Sequence, residues 1–199
     1  MADAAGSTST FFMLIILSLF PGSAHADALG AEVLLLTAHV SKETIRLGEQ
    51  YKRKLSPDGR FVFTPGMELY YDRTVTSGLL RLDTLRFVLA GYRDSVDHFS
   101  GYLGILPRWE FDLRERLRLS LGVGPVLIFR KSWKTVPGYV DDGYYNQSDN
   151  FLPGYQYKLI IGGDIDFQYQ LTPRLQAVFS IVPGVPFVIT PSLGIRWSF

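Results

Sequence analysis

The chain has 199 residues, with 20 Lys and Arg against 19 Asp and Glu, 47% hydrophobic residues and no cysteine. That length suits one domain, and the near-neutral charge gives no basis for nucleic-acid binding. The absence of Cys excludes disulfides and thiol chemistry.

Residues 11–20 form an apolar run broken only by Ser18, followed by Pro21-Gly22-Ser23 and then Ala24-His25-Ala26. About ten apolar residues are too few to span a bilayer as a helix, which needs about twenty. With an A-x-A site behind it, the run reads as a secretory signal peptide over 1–26, although Asp3 precedes it and no Lys or Arg does. The exported domain is then 27–199.

Strand-like segments follow at 31–41, 61–72, 80–93, 101–112, 117–129, 155–169, 174–183 and 187–199. The last shows the pattern most clearly. Phe187, Ile189, Leu193, Ile195, Trp197 and Phe199 share one parity, and Val188, Thr190, Ser192, Gly194, Arg196 and Ser198 the other. This is period-2 alternation ending in aromatic residues, as in the closing strand of an outer-membrane barrel. Leu117 to Phe129 and Tyr155 to Tyr169 repeat it. The segment at 80–93 is the least regular, because Arg81 and Asp83 share the parity of Leu85, Phe87 and Leu89; a bulge or a later start is expected there.

The expected fold is therefore all-β, an eight-stranded antiparallel transmembrane β-barrel. Connections at 73–78, 113–116 and 170–173 are short, whereas 42–60 and 131–152 are long and polar. Short turns face the periplasm and long loops the outside in such barrels, so both termini fall in the periplasm and the location is the bacterial outer membrane.

The inward parity divides into two zones. Arg108, Glu110, Arg118, Ser120, Asp164, Asp166, Gln168, Arg196 and Ser198 predict a polar, ion-paired periplasmic floor. Leu106, Gly122, Gly124, Val126, Ile128, Ile160, Gly162 and Val188 predict an apolar outer half narrowed by glycines. Eight strands leave room for side chains or one small ligand, and this lining suits an acyl chain. A solid plug of side chains fits the same parity. Pro65, Pro107, Pro125, Pro183, Pro186 and Pro191 lie in or beside strands, where each removes a ladder donor and can open the wall sideways near the rim.

Three polar residues reach the outer rim: His39 at the end of the first strand, and Asp94 and Ser95 after the third. His, Asp and Ser can supply a base, an orienting carboxylate and a hydroxyl, although such residues on barrel loops are ordinarily a solvated rim. The motifs carrying them are Thr37-Ala38-His39 and Arg93-Asp94-Ser95. Gly101-Tyr102, Leu121-Gly122-Val123-Gly124 and Ile181-Val182-Pro183-Gly184 follow in order before the terminal Phe. Together they resemble the lipid A palmitoyltransferases of the PagP type.

The resemblance implies an acyltransferase that moves a fatty acyl chain from a phospholipid donor to lipid A. Catalysis would fall to His39, Asp94 and Ser95, and an acyl-chain pocket would involve Leu103, Gly104, Gly122, Gly124 and Val126. It implies a monomer in the outer membrane without a cofactor. Two features depart from the family: residues 27–30 are too short for the amphipathic helix that precedes its first strand, and Leu34 stands where it has a proline. Lys42, Arg46, Lys52, Arg53 and Lys54 could attract lipid A phosphates, though Glu43, Glu49 and Asp58 share their loop.

Two other readings compete. His98-Phe99-Ser100 resembles the His-x-Ser of lipid A 3-O-deacylases, with Glu110 as third member. Ser100 and Glu110 would then sit on one strand, roughly 30 Å apart at ten residues, too far for a triad. A structural or adhesive barrel would use its Tyr-rich loop, Tyr139 to Tyr145, for contacts, and would have a filled interior. The three histidines are scattered, so no metal site is expected.

Overall fold

The computed structural model describes residues 27–39, 50–75, 82–140, 143–147, 153–184 and 188–199. The expected signal peptide, together with Lys42 and Arg46, lies outside them. The strands are β1 (Ala28–His39), β2 (Phe61–Thr74), β3 (Thr84–Arg93), β4 (Phe99–Arg114), β5 (Leu117–Lys131), β6 (Asn146–Gln147), β7 (Tyr155–Gln170), β8 (Leu175–Gly184) and β9 (Val188–Ser198). The irregular third segment starts late, at Thr84, which leaves Asp83 outside the strand; Arg81 lies outside the described residues.

Each long strand pairs antiparallel with its sequence neighbour, β5 pairs with β7, and β1 closes on β9. Eight staves thus form a closed ring. The two-residue β6 lies outside that ring, on the outer end of β7 at Gln156 and Tyr157. Closure is what lets a sheet cross hydrocarbon, because every wall N–H and C=O can find a partner within the protein.

Alternation decides which way each side chain points. Met67, Leu89, Ile161 and Leu193 are 54%, 54%, 75% and 59% exposed on the outer wall. Their inward neighbours Glu68, Val88, Ala90 and Ser192 are buried. Large apolar groups displayed around a whole exterior, over a polar interior, invert the order of a soluble protein and match a bilayer-facing surface. No described helix is long and apolar enough to cross a membrane.

The lower half of the interior is filled by ion pairs. Arg86 lies 2.7 Å from Asp72, 3.0 Å from Asp164 and 2.9 Å from Asp166. Arg108 adds contacts to Asp164 at 2.7 Å and Asp166 at 2.5 Å, and Arg196 binds Asp72 at 2.8 Å. Buried charge on this scale is tolerable only when paired in this way. The Arg86 guanidinium also lies 3.5 Å from the centre of the Tyr70 ring, and both residues are buried.

Above this floor, Val88, Leu106, Val126 and Ile128 form an apolar layer. Two irregularities in the wall lie beside it. Registers shift on β1 against β2 between Leu34 and Leu36, and against β9 between Leu34 and Ala38. On the far side, β7 pairs with β8 only from Ile165 to Gln170. Among the described residues, 158–164 of β7 carry no ladder partner on that edge, and β8 carries Pro183 there. At Pro107 and Pro125 the β4–β5 ladder lacks bridges between Gly104 and Arg108, yet the register is unbroken. The wall stays tight because a side chain at Gly124 would meet the Ile105 carbonyl at 2.2 Å.

Candidate active site at the extracellular rim

β1 ends at His39 and β3 at Arg93, at the end of the barrel that bears the long loops. This is the extracellular end in barrels of this type. The backbone of His39 donates to the Arg60 carbonyl at 2.7 Å, which fixes the strand end. The imidazole Nε2 lies 2.9 Å from Ser95 Oγ, and both residues are buried. The structure thus brings together two of the three rim residues singled out in the sequence.

The third is adjacent but turned elsewhere. Asp94 Oδ1 accepts from the backbone N–H of Val96 at 3.1 Å and of His98 at 2.8 Å, which closes the turn after β3. Its Oδ2 accepts from Ser100 Oγ at 2.9 Å and from the Trp133 indole at 2.8 Å. The orienting role expected for Asp94 on the imidazole is therefore not what the contacts provide. A carboxylate filled by four donors from its own turn and from the next loop has no acceptor left for the ring. His39 Nδ1 has no hydrogen-bond partner among the described residues.

The imidazole rests instead on an aromatic ring. Tyr51 stacks on it with centroids 4.7 Å apart and planes 24° apart. Tyr51 packs with Val62 and Val96, against which Trp133 and Val136 close. Burial first, then the nearby Asp94 charge, pushes the Tyr51 phenol up to about 12, so it stays neutral at ordinary pH.

Beneath the pair opens a cavity of about 580 Å³, lined by Leu34, Thr37, Val88, Leu106, Val126, Ile128 and Ile160. It reaches Glu68, Tyr102 and Asp164 on the floor side, and Gly162, Gly163, Val182 and Pro183 at the incomplete β7–β8 seam. The Tyr102 hydroxyl donates to Glu68. Thr37 Oγ1 lies 2.6 Å from Thr64 Oγ1, satisfying two buried hydroxyls.

The cavity departs from the expected pocket residues. Val126 lines it, but Leu103 does not: it has the outward parity and is 46% exposed on the wall. Gly104, Gly122 and Gly124 are also absent from the lining. A side chain at Gly104 would press on Val126 at 3.0 Å, and one at Gly122 would meet Asp164 Oδ1 at 2.3 Å. These glycines make room for neighbouring side chains, and those neighbours shape the cavity.

The deacylase triad does not assemble. Ser100 opens β4 on Asp94, while Glu110 lies near the floor, 2.7 Å from Arg118. The described part of the Tyr-rich loop folds inward: Tyr145 is buried, and Arg130 lies 3.8 Å from its ring centre and 4.4 Å from that of Trp133. Tyr51 and Trp133 escaped the sequence reading because isolated aromatics in polar loops carry no periodicity. A large apolar ring stranded among charges was their one available signal.

No protein-family model and no curated protein matches the chain. Among solved structures, Neisserial surface protein A (NspA) is similar at 12% identity and a TM-score of 0.53, covering 90% of this chain and 100% of that one. Ail of Yersinia pestis, in complex with a heparin analogue, shows 12% identity and a TM-score of 0.44 over 88% of this chain and 99% of its own. The N-terminal barrel domain of Pseudomonas aeruginosa OprF shows 12% and 0.40, over 86% and 97%. Nothing in these likenesses points to the palmitoyltransferases in particular. With the apolar exterior and the closed ring, the NspA likeness establishes the fold as that of an eight-stranded bacterial outer-membrane β-barrel.

Proposed function

We propose that the barrel is an acyltransferase that moves a fatty acyl chain from a phospholipid to lipid A in the outer leaflet. The observation that carries this reading is the 2.9 Å contact of His39 Nε2 with Ser95 Oγ at the mouth of a largely apolar cavity. A hydroxyl within reach of a base is the arrangement of an activated nucleophile. Ser95 Oγ attacks the donor ester carbonyl while His39 takes its proton and passes it to the departing glycerol oxygen. The acyl group then rests on Ser95 as an ester. A lipid A hydroxyl attacks that ester, His39 takes the hydroxyl proton, and it returns the proton to Ser95 Oγ as the new ester leaves.

Support for lipid access comes from the β7–β8 seam, where the cavity meets a stretch of β7 that has no ladder partner on that edge among the described residues. The cavity volume lies within the range of small-ligand sites. The test is mass spectrometry of lipid A from cells expressing the protein or its Ser95→Ala form. A gain of one acyl mass, lost with Ser95→Ala while the barrel still shows heat-modifiable gel migration, supports transfer. Loss of an acyl chain, or no change with folded protein, overturns it.

The second reading is a structural or adhesive barrel without catalysis. Two observations favour it: the ion-paired floor packs the lower interior solid, and the fold is shared with a protein named as a neisserial surface protein. Under this reading, His39→Ala and Ser95→Ala leave the lipid composition of the cell unchanged.

A further inference from the structure

Tyr51 and Lys52 touch the two members of the rim pair, and Arg53 touches the turn that carries Ser95. Tyr51 covers the face of the His39 imidazole, the Lys52 N–H donates to the Ser95 carbonyl at 2.7 Å, and Arg53 pairs with Asp97 at 2.9 Å. Arg53 also accepts from the Phe63 N–H through its carbonyl at 3.0 Å, which roots the segment on β2. The three contacts span both sides of the pair: one to the base, one to the backbone of the hydroxyl residue, and one to the turn that carries it.

The backbone at this junction is not relaxed. Arg53 (φ 53°) and Asp97 (φ 67°) are the two non-glycine residues at positive φ among the described residues, and they are ion-pair partners. Left-handed conformations at non-glycine residues persist where the surroundings over-determine them, and they cluster at functional sites. An exposed ion pair contributes little to stability by itself. Its consequence here is geometric: it ties the strained residue of one loop to the strained residue of the other.

We propose that residues 51–53 form a clamp that sets the His39–Ser95 geometry, with Tyr51 a positioning residue that holds the imidazole by stacking on its face, taking over the orienting role that a carboxylate has in a Ser-His-Asp triad. The catalytic meaning of the clamp rests on the acyl-transfer reading; its structural content does not. The ring needs such support because Asp94 is occupied by the turn and by Trp133, and Nδ1 has no partner among the described residues. A face-on aromatic fixes the ring plane and leaves both nitrogens at the edge, so Nε2 stays aimed at Ser95 Oγ.

The test compares wild type, Tyr51→Phe, Tyr51→Leu and Tyr51→Ala in detergent-refolded full-length barrels. Two readouts are taken: acyl transfer from phosphatidylcholine to lipid A in mixed micelles, and NMR of the His39 ring with labelled histidine. Tyr51→Ala and Tyr51→Leu are expected to lower kcat about tenfold to a hundredfold, the loss typical of a misplaced catalytic group, with KM within about threefold. The His39 ring signals lose their Tyr51 ring-current shift and broaden, while Tyr51→Phe restores both rate and signals.

An unchanged kcat in Tyr51→Ala overturns the clamp, as does a loss of rate with the His39 signals unperturbed or a failure of Tyr51→Phe to restore them. If wild type transfers no acyl group, the acyl-transfer reading falls, and the NMR comparison alone decides whether Tyr51 holds the ring.

Discussion

Asp94 and Trp133 are joined across the rim by a 2.8 Å hydrogen bond from the indole Nε1 to Oδ2, so the carboxylate beside Ser95 holds a loop and not the imidazole. This bond draws residues 132–140 over the cavity mouth and seals the cluster of Tyr51, Val62 and Val96 from above. If it is one linkage, its two ends act as a unit. Asp94→Asn and Trp133→Phe should each speed protease nicking of the 132–140 loop. The double variant should fall short of the sum by about 0.5–3 kcal/mol, the range for residues in direct contact. Strict additivity in the protection measurement would show that the bond does not carry the loop.

The cavity can be closed without touching the rim pair. Val126 lines the cavity and packs beside Gly104 and Gly162. Val126→Trp is expected to reduce transfer of long acyl chains at least about tenfold while sparing hydrolysis of a short-chain ester, because the volume is lost and the dyad is not. Equal losses on long and short chains would place the effect on the dyad instead.

Arg86 is the centre of the floor, fully buried against Asp72, Asp164 and Asp166. Arg86→Met removes one cation and leaves those carboxylates short of a partner, which costs about 3–5 kcal/mol for a broken buried pair. Urea unfolding of the refolded barrel in detergent or vesicles measures it. An Arg86→Met barrel within about 1 kcal/mol of wild type would mean that Arg108 and Arg196 suffice for the three aspartates.

Tyr51 gives an alkaline signature. Its ordinary value is 10.0 and burial lifts it to about 12. Between those values an unfolded chain has released the phenol proton while the folded one retains it, so folding of this loop weakens as pH rises from about 10 to about 12. Hydrogen exchange of residues 50–60, corrected for its intrinsic base-catalysed rate, should accelerate over that window in wild type. Tyr51→Phe, which has no proton to lose, should lack that acceleration. Identical profiles in the two proteins would assign the change to another group.

The barrel was legible in the sequence because its cause is local. A two-residue period with apolar groups on one parity forces one face of every strand into hydrocarbon, and this holds from Leu117 to Phe129 and from Val188 to Ser198 whatever the strands pair with. Leu103, which the family resemblance and not the alternation assigned to the pocket, shows where the two part. The residue lies on the outward parity of β4, so the same alternation rule, applied to it, would have placed it on the wall and out of the pocket.

Tertiary structure alone decided the rest. Nothing between positions 39 and 95 announces that one imidazole will meet one hydroxyl. The contact exists because β1, β2 and β3 are adjacent staves and the turn after β3 folds back on Asp94. Asp94 could serve the ring or the turn, and the donors that reach it, the Val96 and His98 N–H groups, the Ser100 hydroxyl and Trp133 from the loop after β5, fix which. Arg86 meets Asp164 and Asp166 across the lumen at separations of 78 and 80 positions, as ring closure requires. Local periodicity sets which way a side chain faces; which partner it finds there depends on the closed ring and on the loops folded over it.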